Sequence, residues 1–277
     1  MTPSPIGLFD SGVGGLSVWR CIADLLPAER TIYLADQAHV PYGPRPPAEI
    51  AALTHAAAAW LLEQGAKLVV IACNTASAVA LASVRQAWPQ ALIVGMEPAV
   101  KPASAGTRSG RVGVMATPGT LHADRFHRLV ERFAGGVEVH TSFCPGLVEW
   151  VEQGWLAGPE IDALLRRCLA PLLAAGIDQL VLGCTHYPFL LPAIQAAVGP
   201  GVTVIDPAPA VARQVQRRLA AADLLAPAAA MPAQHQFYTT GEVAALQTAL
   251  TRLLGLTGAS VRAASLQIQA ADAEVPA

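Results

Sequence analysis

The chain has 277 residues, of which 53% are hydrophobic and 14% charged, and its formal net charge is −2. This composition is typical of a well-packed globular protein with room for two modest domains. The sequence has no cluster of Lys or Arg, which argues against a nucleic-acid surface because phosphate binding needs a basic stripe. No segment predicts a membrane span or a secretory signal, so we expect a cytoplasmic protein.

Five cysteines are scattered along the chain without CxxC spacing. An odd, scattered set in a reducing cytoplasm predicts free thiols rather than a disulfide framework. For Cys21, Cys144 and Cys168 we expect small core side chains.

The first predicted strand, residues 6–9, ends at Asp10-Ser11 and is followed by a glycine turn at 12–15 and a helix. This pattern presents backbone N–H groups to an anion. It lacks the third glycine of a dinucleotide fingerprint, where Ser17 stands, and the lysine of a P-loop. The turn therefore favours a small carboxylate, or plain helix packing, over a nucleotide.

A second strand, residues 31–35, ends at Asp36, and the loop that holds Tyr42-Gly43 leads into a helix at 47–64. The next strand, at 68–71, leads to Cys73, Asn74 and Thr75. A thiol between a strand end and a helix N-terminus lies where the backbone favours negative charge. Strands that alternate with helices predict a parallel α/β sheet.

The Pro-, Gly- and Ser-rich residues 98–110 predict a crossing to a second domain, in which the pattern restarts and Thr117 follows a strand. Predicted helices lie at 121–133, 146–153 and 159–175. A strand at 180–183 then leads to Cys184, Thr185 and His186, which repeats the design of the Cys73 unit.

We therefore predict two similar α/β domains with mainly parallel sheets, related by a pseudo-twofold axis, with the active site between them. The predicted domains are residues 1–97 plus 207–277, and residues 98–206. In the returning segment we expect an Ala/Pro-rich linker at 226–233, a strand at 237–240, a helix at 242–254 and a strand at 261–266. The last ten residues predict a frayed tail.

In open α/β sheets, ligands bind outside the carboxyl ends of the strands. If the two sets of strand ends face each other, Cys73 and Cys184 oppose one another. A carbon held between two thiols can lose a proton to one and regain a proton from the other, which inverts its configuration without a cofactor. A free thiol is about 3% ionised at pH 7, so each needs a partner, and Asp10 and His186 are the nearest candidates.

Cofactor chemistry is disfavoured by the sequence. A metal site built from Cys73, Cys184 and His186 would have a spacing unlike the usual zinc clusters. Pyridoxal phosphate needs a lysine, and neither Lys67 nor Lys101 is well placed. We expect no cofactor and no metal.

Five motifs together resemble the glutamate racemases of the aspartate/glutamate racemase family. They are Phe-Asp-Ser-Gly-Val-Gly-Gly-Leu at 9–16, Leu-Ala-Asp at 34–36, Pro-Tyr-Gly at 41–43, Ala-Cys-Asn-Thr-Ala-Ser at 72–77 and Leu-Gly-Cys-Thr-His-Tyr-Pro at 182–188. The resemblance implies interconversion of L- and D-glutamate without a cofactor, which supplies D-glutamate to peptidoglycan. We also expect a homodimer.

The resemblance also implies residue roles. Cys73 would act on the D-isomer with help from Asp10, and Cys184 on the L-isomer with help from His186. Asp36 and Glu152 match acidic positions that help at the same two ends, although Glu149 competes with Glu152 for this role. The implied substrate contacts are Asp10, Ser11, Tyr42, Gly43, Asn74, Thr75, Thr117, Thr185 and His186.

Two rival functions stay open at this point. One is a racemase or lyase of the same superfamily that acts on aspartate or another small carboxylate. The other is an amino-acid-binding protein without catalytic activity. Paired cysteines alone exclude neither.

Overall fold

The computed structural model describes residues 4–227 and 233–268. Most of the predicted linker and nearly all of the predicted tail lie outside the described residues. Strands in the described part are, in chain order, β1 (Ile6–Asp10), β2 (Thr31–Ala35), β3 (Leu68–Ile71), β4 (Leu92–Gly95), β5 (Arg111–Ala116), β6 (Glu138–Ser142), β7 (Gln179–Gly183), β8 (Thr203–Ile205), β9 (His235–Thr239) and β10 (Val261–Ala263).

Helices connect most of these strands, and a short 3₁₀ turn (Tyr187–Leu190) follows β7. Among the described residues, none of the helices is both long and apolar enough to cross a membrane. In chain order they are α1 (Leu16–Leu25), α2 (Pro47–Glu63), α3 (Asn74–Ala87), α4 (Val100–Gly106), α5 (Pro118–Leu121), α6 (Asp124–Phe133), α7 (Leu147–Glu152), α8 (Pro159–Ala174), α9 (Leu191–Val198), α10 (Ala208–Ala221) and α11 (Val243–Leu254).

The strands form two sheets in which every pairing is parallel. One sheet has the order β10-β9-β2-β1-β3-β4, and the other has the order β6-β5-β7-β8. The second sheet thus repeats the order of four adjacent strands of the first, β2-β1-β3-β4. This confirms the predicted α/β class with two similar parallel sheets.

Strand β3 shows why the first sheet carries continuous apolar runs. Leu68 and Val70 belong to one hydrophobic cluster, and the intervening Val69 and Ile71 belong to another. Side chains alternate along a strand, so both faces of the sheet are covered, as parallel sheets require. Burial of each such side chain contributes roughly 1.5–3 kcal/mol to the free energy that stabilises the fold.

Two predicted segments differ in detail from the structure. The crossing at residues 98–110 contains helix α4, because Val100 and Ala103 find buried positions that a Pro- and Gly-rich composition does not reveal. The helix predicted at 121–133 begins at Asp124, and the separate short helix α5 precedes it. Pro118 occupies the first position of α5, where its missing N–H costs nothing.

The expectation that all cysteines are free is wrong for two of them. Cys144 and Cys168 are joined in a disulfide with their Cα atoms 5.6 Å apart, whereas Cys21, Cys73 and Cys184 are free. Helix α8 packs against β6, and this contact brings together two positions that are 24 residues apart in sequence. Cysteine count and spacing carry no information about such a tertiary contact.

Candidate active site between the two sheets

A small cavity lies between the carboxyl ends of the two sheets. Both halves contribute to its wall, and the two predicted thiols lie in it together. The cavity is lined by Ser11, Pro41, Tyr42, Gly43, Cys73, Asn74, Thr75, Thr117, Val148, Cys184, Thr185 and His186. The three acids predicted at the site, Asp10, Asp36 and Glu152, do not line the cavity. Each instead contacts a residue that does.

Cys73 leaves the end of β3 and caps the N-terminus of α3. Its Sγ accepts from the backbone N–H of Ala76 at 3.5 Å and donates to Ser11 Oγ at 3.6 Å. Burial, followed by the negative charge of Asp10, raises the pKa of the Cys73 thiol to about 12. The hydrogen bonds that Cys73 makes with Ala76 and Ser11 oppose this rise. In the free protein Cys73 is therefore a neutral thiol near neutral pH.

Cys184 follows β7 and has an imidazole as its neighbour. Its Sγ lies 3.6 Å from Nδ1 of His186, and Nε2 of His186 lies 2.6 Å from Oε1 of Glu152. Burial lowers the pKa of His186, but the hydrogen bonds to Cys184 and Glu152 outweigh it and raise that pKa well above its usual range. His186 is thus placed to exchange a proton with the sulfur.

The choice between Glu149 and Glu152 is decided by the orientation of α7. Glu152, at the last position of the helix, contacts His186 and also accepts the backbone N–H of Val13 at 2.7 Å. Glu149 is exposed on the outer face of the same helix. Of these two acids, Glu152 is therefore the one that contacts the His186 imidazole beside Cys184.

The glycine turn after β1 is necessary because side chains of the second half reach into it. A Cβ at Gly12 would collide with the Glu152 carboxylate, and a Cβ at Gly14 would lie 2.5 Å from Nδ1 of His186. The N–H groups of Gly12 and Val13 donate to Asp10 and Glu152. The anions held by this turn are thus carboxylates of the protein itself.

Asp10 links the first half to the Cys184 unit. Its Oδ2 accepts from the Thr185 hydroxyl at 3.0 Å and its Oδ1 from the Gly12 N–H at 2.9 Å. Burial raises its pKa, while His186 and the Gly12 N–H oppose the rise. Within the described residues no hydrogen bond joins Asp10 to Cys73, and the negative charge of Asp10 raises the pKa of that thiol.

Asp36 is fully buried behind Tyr42. It accepts from the Tyr42 hydroxyl and from the Thr240 hydroxyl, each at 2.6 Å, and it lies 2.9 Å from Nδ1 of His39. Tyr42 lines the cavity, so Asp36 fixes one part of the wall. Its bonds place it against this tyrosine rather than against either sulfur.

Hydroxyl and amide groups complete the wall. Oγ1 of Thr75 lies 2.8 Å from Oγ1 of Thr117, and Thr120 joins the pair at 3.2–3.3 Å. The Asn74 amide is 2% exposed, and neither its nitrogen nor its oxygen has a hydrogen-bond partner within the described residues. Buried polar atoms cost free energy when unsatisfied, so this amide is available to a bound ligand.

Sequence reasoning missed four polar residues around the site, namely Tyr33, Gln37, Thr239 and Thr240. Tyr33 donates its hydroxyl to the Gly12 carbonyl at 2.7 Å, and Thr239 donates to Gln37 at 2.9 Å. Thr239 and Thr240 stand at the carboxyl end of β9, next to β2 in the sheet. The strand-end rule that selected Asp36 could have found them.

Comparison with known proteins agrees with this architecture. The Asp/Glu/Hydantoin racemase family matches residues 6–215. A glutamate racemase of Roseiflexus sp. (strain RS-1) is 56% identical over 211 residues, which is 76% of this chain and 78% of the relative.

Solved structures show the same likeness. A glutamate racemase isoform from Bacillus anthracis has a TM-score of 0.87 at 32% identity and covers 97% of this chain and 100% of its own. The Francisella tularensis glutamate racemase, solved in complex with D-glutamate, has a TM-score of 0.84 at 28% identity and covers 96% and 98%. The chain belongs to the Asp/Glu/Hydantoin racemase family and groups within it with the glutamate racemases.

Proposed function

We propose that the protein interconverts L- and D-glutamate by proton transfer between two cysteines, without a cofactor, and so supplies D-glutamate for peptidoglycan synthesis. One observation carries the proposal: Cys73 and Cys184, from opposite sheets, line a single cavity. The names of the relatives and the D-glutamate bound to the Francisella tularensis protein support glutamate as the substrate.

In the proposed reaction, the two thiols act on opposite faces of the α-carbon. The reactive form of Cys73 is its thiolate, a minor species in the free protein because burial raises the pKa of this thiol. That thiolate takes the α-proton of D-glutamate and becomes a thiol, while the thiol of Cys184 gives its proton to the other face. The reverse reaction uses the same groups in exchanged roles. One C–H bond breaks and another forms, so no oxidant or reductant is needed.

The cavity wall provides neutral donors for the substrate carboxylates. The described residues that line it offer hydroxyl, amide and backbone groups but include neither lysine nor arginine. Such preorganised donors stabilise negative charge as it develops on the substrate. We assign these contacts to Ser11, Tyr42, Gly43, Asn74, Thr75, Thr117 and Thr185, with Asp10 and His186 nearby.

The acids and the histidine serve the two ends of the site. Asp10 influences Cys73 by charge and holds Thr185, and Asp36 fixes Tyr42. His186, held by Glu152, exchanges protons with Cys184. These roles give each thiol a different partner.

Circular dichroism of L-glutamate incubated with the pure, chelator-dialysed protein tests this proposal. We expect the signal to decay to zero, with no pyridoxal absorption. Lys67 is engaged in an ion pair with Glu29 at 2.7 Å, at the amino end of β3, which is the wrong place for a Schiff base. Persistence of the optical activity of L-glutamate, or racemase activity that is restored only by zinc, would contradict the proposed cofactor-free reaction.

A parallel measurement distinguishes glutamate from aspartate. Exchange of the α-proton into deuterated water should be much faster for glutamate, and faster exchange with aspartate would favour the rival racemase.

The same proposal includes a cytoplasmic location, a homodimer and two domains. The domain limits are residues 1–97 plus 207–277 for the first domain and residues 98–206 for the second.

A further inference from the structure

The Glu152 carboxylate is held at both of its oxygens. Oε1 accepts from the Val13 N–H and from Nε2 of His186, at 2.7 and 2.6 Å. Oε2 accepts from Nε2 of Gln37 at 3.2 Å, its single hydrogen bond in the part of the chain that the structure describes. A carboxylate that accepts hydrogen bonds at only one oxygen can still rotate about the Cγ–Cδ bond. A hydrogen bond to the second oxygen fixes the plane of the carboxylate.

Gln37 is itself oriented by the end of β9. The Thr239 hydroxyl donates to Oε1 of Gln37 at 2.9 Å, and the Gly241 N–H donates to Thr239 Oγ1 at 3.0 Å. With its carbonyl bound in this way, the Gln37 amide must direct its NH₂ group toward Glu152. A Cβ at Gly241 would lie 2.9 Å from Cβ of Gln37, so the glycine permits the close packing.

We propose that Gln37 is a positioning residue for proton transfer at Cys184. A continuous series of contacts runs from Thr239 through Gln37, Glu152 and His186 to the Cys184 sulfur. Thr239 ends β9 and Gln37 follows β2, two strands of the first sheet, whereas Cys184 follows β7 of the second. The first half of the molecule thereby orients the imidazole that serves the thiol of the other half. This inference rests on the proposed role of Cys184.

Gln37→Met tests the proposal, because it keeps the length of the side chain and removes the donor. A charge-assisted hydrogen bond of this kind supports a roughly ten-fold effect, so we expect kcat to fall about ten-fold with KM nearly unchanged. Thr239→Val should act in the same direction, whereas Thr239→Ser keeps the hydroxyl and should retain activity. Gln195→Met, on an exposed position of α9, is the matched control.

Isotope effects separate positioning from general damage. Slower proton transfer at Cys184 should increase the primary deuterium effect with 2-deuterated L-glutamate and decrease it with 2-deuterated D-glutamate. A kcat within two-fold of wild type in Gln37→Met, or isotope effects that do not change in opposite directions, would overturn the role of Gln37. Full activity in Cys184→Ala would instead overturn the proposed function, so the two failures are distinguishable.

Discussion

The two thiols occupy matching places in the two halves, but their neighbours differ in kind. Cys73, after β3, is bonded to a backbone N–H and a serine hydroxyl. Cys184, after β7, lies against an imidazole that a carboxylate holds. The position of Thr75 in the first half is taken by His186 in the second, and that of Asp10 by Ala116.

This difference separates what the duplicated backbone provides from what individual residues add. The repeated strand order places each thiol at a strand end beside the other half. The backbone repeat does not by itself give either thiol an ionisable partner. That chemistry comes from residues that break the repeat, and a two-base enzyme with unlike bases should respond unequally when they are changed.

Removal of either thiol is expected to have the largest effect on racemase activity. Cys73→Ala and Cys184→Ala should each abolish racemisation and leave the fold intact, because one small buried side chain replaces another. Polarimetry with thermal unfolding as the folding control measures both properties. More than a few per cent of activity in either variant would remove the need for two thiols.

A single methyl group in the glycine turn should strongly impair the Cys184 side. In Gly12→Ala, the new Cβ displaces the flexible end of Glu152, which releases His186, so we expect activity to fall by about one to two orders of magnitude. Gly135→Ala is the matched control, because a Cβ there meets no atom of residues 4–227 or 233–268 within 4 Å. Equal activities in the two variants would contradict the role of Glu152.

Removal of each helper should give opposite asymmetries. Asp10→Asn should slow removal of the D-glutamate proton most, and His186→Asn removal of the L-glutamate proton. The equilibrium constant is one, so kcat/KM must stay equal in both directions. The asymmetry must therefore appear in deuterium isotope effects with 2-deuterated D- and L-glutamate. Isotope effects like those of wild type in both variants would refute the assignment.

The smallest effect concerns stability at alkaline pH. The pKa of Cys73 is about 12 in the folded protein, against about 8.5 for a free thiol. Above pH 8.5 the unfolded thiol ionises and the folded one does not, so wild type loses roughly 1 kcal/mol per pH unit relative to Cys73→Ala. Urea unfolding from pH 7 to 10.5 measures this, and parallel stability curves would contradict the buried neutral thiol.

The sequence predicted well those features that depend on local patterns. Apolar runs that end in polar residues identified β1, β3, β5 and β7 and placed Cys73 and Cys184 at strand ends. Contacts between segments that are distant in sequence could not be predicted from these local patterns. Three such contacts are the Cys144–Cys168 disulfide, the hydrogen bond from Gln37 to Glu152 and the hydrogen bond from Thr185 to Asp10. Each joins residues that are distant in sequence and meet only in the folded protein.

The most direct test of the central claim is the fate of the α-hydrogen at low conversion of the substrate. L-Glutamate is incubated with the protein in deuterated water, and the reaction is stopped before one tenth of the L-glutamate has reacted. The two enantiomers are then separated, and the deuterium content of each is measured by mass spectrometry. Two thiols on opposite faces predict one deuterium in nearly every D-glutamate molecule and almost none in the remaining L-glutamate. Deuterium that accumulates in L-glutamate as fast as in D-glutamate would show a single base and contradict the account.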